Sequence, residues 1–173
     1  MADAAIDLLK AHLRQLRLPT MSREFERLAR DAAATNQNFF QFLRGLTESE
    51  LATRAATAVA TRIRNAEFPV LKDFDTDDFT VLPQLSKPKV LELARCEWIE
   101  QKYNCCLVGS HGTGQTHIAV SLGLAACRAG LRVRVFTAAD LVTQWEKAQK
   151  QSTWDRFLGQ LERAHLLICD ELG

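Results

Sequence analysis

The feature that most constrains this chain is a glycine-rich octapeptide, Gly109-Ser110-His111-Gly112-Thr113-Gly114-Gln115-Thr116. It follows the apolar run Cys105-Cys106-Leu107-Val108 and precedes a segment in which Ile118, Leu122, Ala125 and Ala126 recur at helical spacing. A strand that turns through glycines into a helix aims backbone amides and the positive end of a helix dipole at one point, which suits a phosphate. The spacing is that of G-x-x-x-x-G-K-[ST], the phosphate-binding P-loop, with Gln115 in the lysine position. Gly109, Gly112 and Gly114 are expected to take positive φ and let the backbone approach phosphate oxygens. Ser110, His111, Thr113 and Gln115 complete the nucleotide-binding stretch, and the Thr116 hydroxyl is the expected Mg²⁺ ligand.

The lysine matters because it is a charge facing several negative oxygens. Glutamine keeps a hydrogen-bond donor but no charge, and charge-assisted bonds are roughly twice as strong as neutral ones. A loop of this kind can hold a nucleotide while hydrolysis is badly impaired. A bare glycine-rich loop could also be a Rossmann-type turn with no ligand. The context argues for the P-loop, since Asp170 follows Gly114 by 56 residues at the end of the apolar run Leu166-Leu167-Ile168-Cys169. That is the Walker-B shape, in which Asp170 holds Mg²⁺ through water and Glu171, as the catalytic residue, orients the attacking water.

The rest of the chain divides into a helical module (1–66), a connector (67–88) and an α/β part (89–173). The first 66 residues hold one glycine, Gly45, and one proline, Pro19. Apolar stripes there (Leu9, Leu13 and Leu16; Phe25 and Leu28; Phe39, Phe42, Leu43 and Leu46; Leu51, Ala55, Val59 and Ile63) predict helices only. Thr47 to Glu50 reads as a capping box opening the last of them. In the connector, Pro69, Pro83 and Pro88 break any helix, while Phe68, Phe74 and Phe79 are expected to pack on the next domain. Beyond it, Val90 to Ile99 predicts a helix, 105–108 a buried strand, and Gly130 the left-handed cap of the helix after the loop. Arg132 to Phe136 alternates as a strand, Thr137 to Asp140 and Ser152 to Asp155 open two helices, and 166–169 forms a second buried strand. Strands alternating with helices imply an α/β fold with a parallel sheet.

Composition excludes several classes. Of the 173 residues 47% are apolar and 25% charged, and 22 Lys+Arg against 21 Asp+Glu leave a formal charge of +1. That is a globular chain without a basic or acidic tail. No apolar run approaches the roughly 20 residues of a membrane span, and Met1-Ala2-Asp3 opens no secretory signal. Five cysteines without a CxxC pair fit a reducing cytoplasm.

With loop, strands and flanks in view, the sequence resembles the IstB-type transposition helper ATPases of bacterial insertion sequences, relatives of the DnaC helicase loaders among AAA+ ATPases. The matching text includes Phe68-Pro69, Leu71-Lys72-Asp73-Phe74, Trp98-Ile99-Glu100, the loop through Gly114, and Thr116-His117-Ile118-Ala119. It continues through Leu122-Gly123, Arg132-Val133-Arg134, Thr137 to Leu141 and Asp170-Glu171-Leu172-Gly173. The resemblance implies an AAA+ module that binds ATP and Mg²⁺, self-associates on double-stranded DNA and delivers target DNA to the element's transposase. It also implies a P-loop sheet with strand order 5-1-4-3-2, in which the fourth strand separates the loop strand from the Asp170 strand. Measured against that pattern, this chain is expected to be incomplete at its C-terminus, with Gln115 and His111 as departures. A non-catalytic remnant or adaptor, and a DnaC-like helicase loader, are the rival readings.

Other candidates are weaker. His111 and His117 lack a third ligand at metal spacing. Cys105, Cys106 and Cys169 are expected as buried small hydrophobes, and Trp98, Trp145 and Trp154 as core. Arg14, Arg17, Arg23, Arg27, Arg30, Arg54, Arg62 and Arg64 could meet DNA phosphates or form a solvated face with Glu24, Glu26 and Glu67.

Overall fold

In the computed structural model the described residues are 2–71, 86–110 and 112–171. Phe74 and Phe79, expected to pack on the next domain, lie outside them, as do Pro83 and His111. Contacts divide the chain into two units, Met1–Ala58 and Val59–Gly173.

The first unit comprises α1 (Ala2–Gln15), α2 (Pro19–Ala34) and the first part of α3 (Phe39–Ala66). Met21, Phe25 and Leu46 form its buried centre, with Ile6, Leu13, Leu18, Leu28 and Phe42 packed around them. Leu9 and Leu16 were expected on the inward stripe of α1 but are exposed; Ile6 and Leu13 carry that face instead. α1 and α2 both end in Schellman-type closures. Leu18 N–H donates to the Leu13 carbonyl past Arg17 (φ +57°), and Gln37 N–H to the Ala32 carbonyl past Asn36 (φ +52°).

The helix expected to open at Thr47 does not. α3 runs unbroken from Phe39, and the Thr47 hydroxyl donates to the carbonyls of Leu43 and Arg44. The reciprocal capping box lies at Asn38 and Gln41 instead, each backbone N–H donating to the other's side-chain oxygen at 2.9 Å. Glu50, freed from a capping role in its own helix, caps another. Leu18 offers no side-chain cap for α2, and the buried Glu50 carboxylate accepts the Met21 N–H at 2.9 Å and Arg54 Nε at 2.8 Å. Burial opposes its charge, but these bonds and one from the Thr20 N–H outweigh it and hold the carboxyl below its ordinary value.

The second unit holds the end of α3, α4 (Lys87–Ala94), α5 (Glu97–Glu100), α6 (Gln115–Arg128), β1 (Val133–Thr137), α7 (Ala138–Lys150), α8 (Trp154–Glu162) and β2 (Leu166–Asp170). β1 and β2 pair in parallel, from Val133 with Leu166 to Thr137 with Asp170. α7 and α8 supply the crossover that a parallel pair requires. Ala66, Cys96, Ile99, Ala126, Cys127, Val133 and Val135 form the core, with Phe68 and Trp98 packed against it. Burial pushes the Cys96 and Cys127 thiols up, so both behave as neutral apolar groups.

Three local readings hold in this unit. Gly130 (φ +94°) closes α6, with Leu131 N–H donating to the Ala126 carbonyl. The Thr137 hydroxyl oxygen accepts the Asp140 N–H at 3.0 Å and caps α7. The strand expected at 132–136 is present one residue later.

Others are corrected. Residues 105–108 form no strand, and Cys105 and Cys106 are exposed rather than buried. An extended segment needs a ladder partner to satisfy its amides; among the described residues the sheet has only β1 and β2, and no strand offers 105–108 an edge. For the same reason β2 is half-buried rather than fully buried, with Leu167 exposed. The single helix expected over 90–99 is two, broken where Cys96 takes φ +64° and where Trp98 Nε1 donates to the Leu93 carbonyl. The N-cap of α8 is Thr153, not Ser152, which turns through φ +53°. Trp145 is largely exposed and meets Trp154 edge-on at 4.7 Å between ring centroids.

Candidate functional site

The candidate site lies within the second unit, where the N-terminus of α6 meets the C-terminal end of β2. Both halves follow from local chemistry. Gly114, at φ +82°, is the N-cap of α6, and Gly112, at φ +78°, turns the loop toward it. A side chain at either position would be strained, so the backbone favours glycine there. Gly109 is a different case from the one expected, since it does not take positive φ. Its lack of a side chain is needed for packing: a Cβ there would lie 2.8 Å from Thr113 Oγ1 and 3.2 Å from Gln115 Nε2.

The loop's side chains satisfy one another. Thr113 Oγ1 donates to the Ser110 carbonyl at 2.7 Å, and the Thr113 N–H donates to the same oxygen at 3.3 Å. Gln115 Nε2 folds back over six residues to the Gly109 carbonyl at 3.0 Å. This last contact carries no sequence signal, because only the closed loop brings the two residues together.

At the other side, β2 delivers Asp170 at the sheet's C-terminal edge, the usual ligand-binding edge of open α/β sheets. Thr116, in the first turn of α6, donates its hydroxyl to Asp170 Oδ2 at 2.7 Å. Asp170 Oδ1 accepts the Glu171 N–H at 3.0 Å, and Glu171 turns the chain away through φ +56°, leaving its side chain exposed. The structure therefore joins Thr116 to Asp170 and Gln115 to Gly109. An adjacent hydroxyl and carboxylate form an all-oxygen donor pair that fits a hard divalent cation such as Mg²⁺. Among the described residues no three His, Cys, Asp or Glu side chains gather as a metal cluster, and no helix is long and apolar enough to cross a membrane.

The arginines expected to face DNA separate into classes. Arg23 and Arg27 are paired with Glu24, Arg27 also with Asp31, and Arg54 with Glu50. Arg62 donates to the Cys127 carbonyl at 3.4 Å. Arg134, not singled out from sequence, reaches the Asn65 carbonyl at 2.9 Å and the Glu67 carboxylate at 3.2 Å, tying β1 to the end of α3.

The profile of the family described as IstB-like ATP binding protein matches residues 11–173. A relative from Geobacillus stearothermophilus, named as an ATP-binding protein of insertion sequence IS5376, is 32% identical over 92% of this chain and 63% of its own length. Another from Pseudomonas aeruginosa, named likewise for insertion sequence IS21, is 33% identical over 95% of this chain and 62% of its own length. A third, from Sinorhizobium fredii, is 30% identical over 93% of this chain and 54% of its own length. The chain thus spans somewhat over half to under two thirds of the length of these three relatives. With a P-loop whose threonine meets a strand-end aspartate beside a small parallel sheet, the chain belongs to the IstB-like ATP binding protein family.

Proposed function

We propose that the site binds the phosphates of ATP with Mg²⁺, and that the chain serves as a helper in DNA transposition, acting with its element's transposase on double-stranded DNA. The observation that carries this reading is the Thr116–Asp170 hydrogen bond, because it brings the loop helix and the strand-end acid together as two oxygen donors that would hold a divalent cation. Backbone amides at the start of α6 would receive phosphate oxygens, with Gly109, Ser110, His111, Gly112, Thr113 and Gly114 shaping the loop. Thr116 and Asp170 would hold Mg²⁺, which neutralises phosphate charge when bound, and Glu171 would orient water. The names of the relatives support ATP binding and an insertion-sequence setting.

Hydrolysis is expected to be slow. Gln115 brings no charge to the phosphates, and its amide is already committed to the Gly109 carbonyl. The same feature favours a second reading, a nucleotide-independent adaptor. Nucleotide titration of the purified chain with and without Mg²⁺, alongside a phosphate-release assay, separates the two. The first reading expects Mg²⁺-dependent binding with little turnover. A thermal midpoint indifferent to ATP would leave the adaptor.

A further inference from the structure

The first unit contains a cleft of about 560 Å³ between the end of α1, the start of α2 and the middle of α3, lined by Arg14, Arg17, Pro19, Glu50, Arg54 and Ala58 among others. Overall charge does not explain it, since residues 1–58 carry eight Lys+Arg and seven Asp+Glu. What distinguishes the cleft is how those charges are spent. Lys10 pairs with Glu26 at 2.6 Å, Arg23 with Glu24 at 2.9 Å, Arg27 with Asp31 at 3.0 Å and Arg44 with Glu48 at 3.5 Å. Glu50, the cleft's carboxylate, is neutralised by Arg54 and by backbone N–H groups of α2. Among the described residues of this unit, Arg14, Arg17 and Arg30 form no ion pair, and of these Arg14 and Arg17 line the cleft.

Their placement is fixed by the backbone. Arg14 lies in the last turn of α1 and Arg17 in the turn that follows it, and both line the cleft. Arg17 sits at the left-handed residue of the α1 closure, φ +57°, where glycine is the favoured occupant. Its carbonyl accepts the guanidinium of Arg54, which pins that turn to α3. A bulky cation held at a position that glycine would fill with less strain points to a use for the side chain.

We infer that the Arg14–Arg17 cleft is a docking point for the phosphodiester backbone of duplex DNA. Two unpaired guanidinium forks in a cleft that also carries the apolar Pro19 and Ala58 suit a chain of repeating monoanions joined by apolar sugars. A base-reading role is not implied, because phosphate contacts position a protein without specifying sequence. The inference rests on the DNA part of the proposed function and is independent of the phosphate loop.

The test is fluorescence anisotropy of the full chain with a labelled duplex of arbitrary sequence, across a series of salt concentrations. Arg17→Gly and Arg14→Gln are combined in one variant, and Arg23→Gln with Arg27→Gln in a control. Glycine suits the left-handed turn, so the first variant is expected to keep its thermal midpoint. Its DNA affinity should fall about tenfold at low salt, and the slope of log affinity against log salt should decrease by about two. The control pair should change neither by as much. An unchanged slope, or an equal loss in the control, would overturn the inference while leaving the DNA reading intact. A wild-type chain that ignores duplex DNA would overturn both, and nucleotide titration of the same sample would judge the loop separately. Tighter binding of a poly-glutamate peptide than of DNA, lost in the same variant, would reassign the cleft to an acidic protein.

Discussion

The Thr116 hydroxyl donates a 2.7 Å hydrogen bond to Oδ2 of Asp170, joining the first turn of the loop helix to the end of a strand 54 residues away. A hydrogen bond to an ionised, partly buried acceptor is worth about 1.5–3 kcal/mol. Thr116→Val and Asp170→Asn should therefore each destabilise the chain, and a double-mutant cycle by denaturant unfolding should return a coupling of about 1–2 kcal/mol. The same variants should lose the Mg²⁺ dependence of ATP binding. A coupling near zero would mean that the two residues do not meet in solution.

Gln115 is the position where one substitution should restore what the family motif requires. Gln115→Lys places an ammonium where a neutral amide now donates to the Gly109 carbonyl. ATP affinity should rise by about tenfold or more, equivalent to about 1.4 kcal/mol, as read by isothermal calorimetry. Gln115→Ala should change folding stability by less than about 1 kcal/mol, because the carbonyl it releases is on an exposed loop.

Glu50 should give the first unit an acid-sensitive cap. Its carboxyl is held below the ordinary value because hydrogen bonds from Met21, Thr20 and Arg54 favour the charged form over the opposing effect of burial. A lowered folded-state pKa contributes stability above the unfolded value, and that contribution is lost as pH falls through the folded value. Glu50→Gln should therefore unfold at a lower temperature than wild type at neutral pH, and the gap should close below about pH 4. Loss of the cap is expected to cost about 0.5–2 kcal/mol at neutral pH, as with other cap deletions. A gap that widens on acidification would contradict this role.

Gly123 and Gly45 are both inside helices, yet alanine should act on them in opposite directions. A Cβ at Gly123 would come within 2.7 Å of the Phe68 ring and 2.8 Å of Ile168 Cδ1, so Gly123→Ala should cost about 1–3 kcal/mol by overpacking α6 against β2. At Gly45 nothing lies within 4 Å, and Gly45→Ala should stabilise α3 by roughly 0.5–1 kcal/mol. Thermal unfolding of the two variants reads both signs directly.

What the sequence determined by itself was whatever a few neighbouring residues can enforce. The glycine-rich loop opening α6, the Thr137 cap, the Gly130 closure and the acid ending β2 each rest on a signal that its own backbone answers. Asn38 and Gln41 carried an equally local capping signal, and the same pattern at Thr47 and Glu50 misled because α3 has no break there. Tertiary structure decided whatever needed a distant partner. Residues 105–108 have the composition of a strand but find no ladder edge among the described residues, so their apolar pattern alone does not make them one. Glu50 is drawn to the bare N-terminus of α2 because buried N–H groups left unsatisfied there would cost more than the local alternative, whereas Gln115 meets the Gly109 carbonyl only because the closed loop brings them together. The pairing of Thr116 with Asp170, and the reach of Arg134 to Asn65 and Glu67, exist only once helices and strands are packed. Short-range propensity sets which elements form, while hydrogen-bond and charge satisfaction across the fold sets which residues can do chemistry.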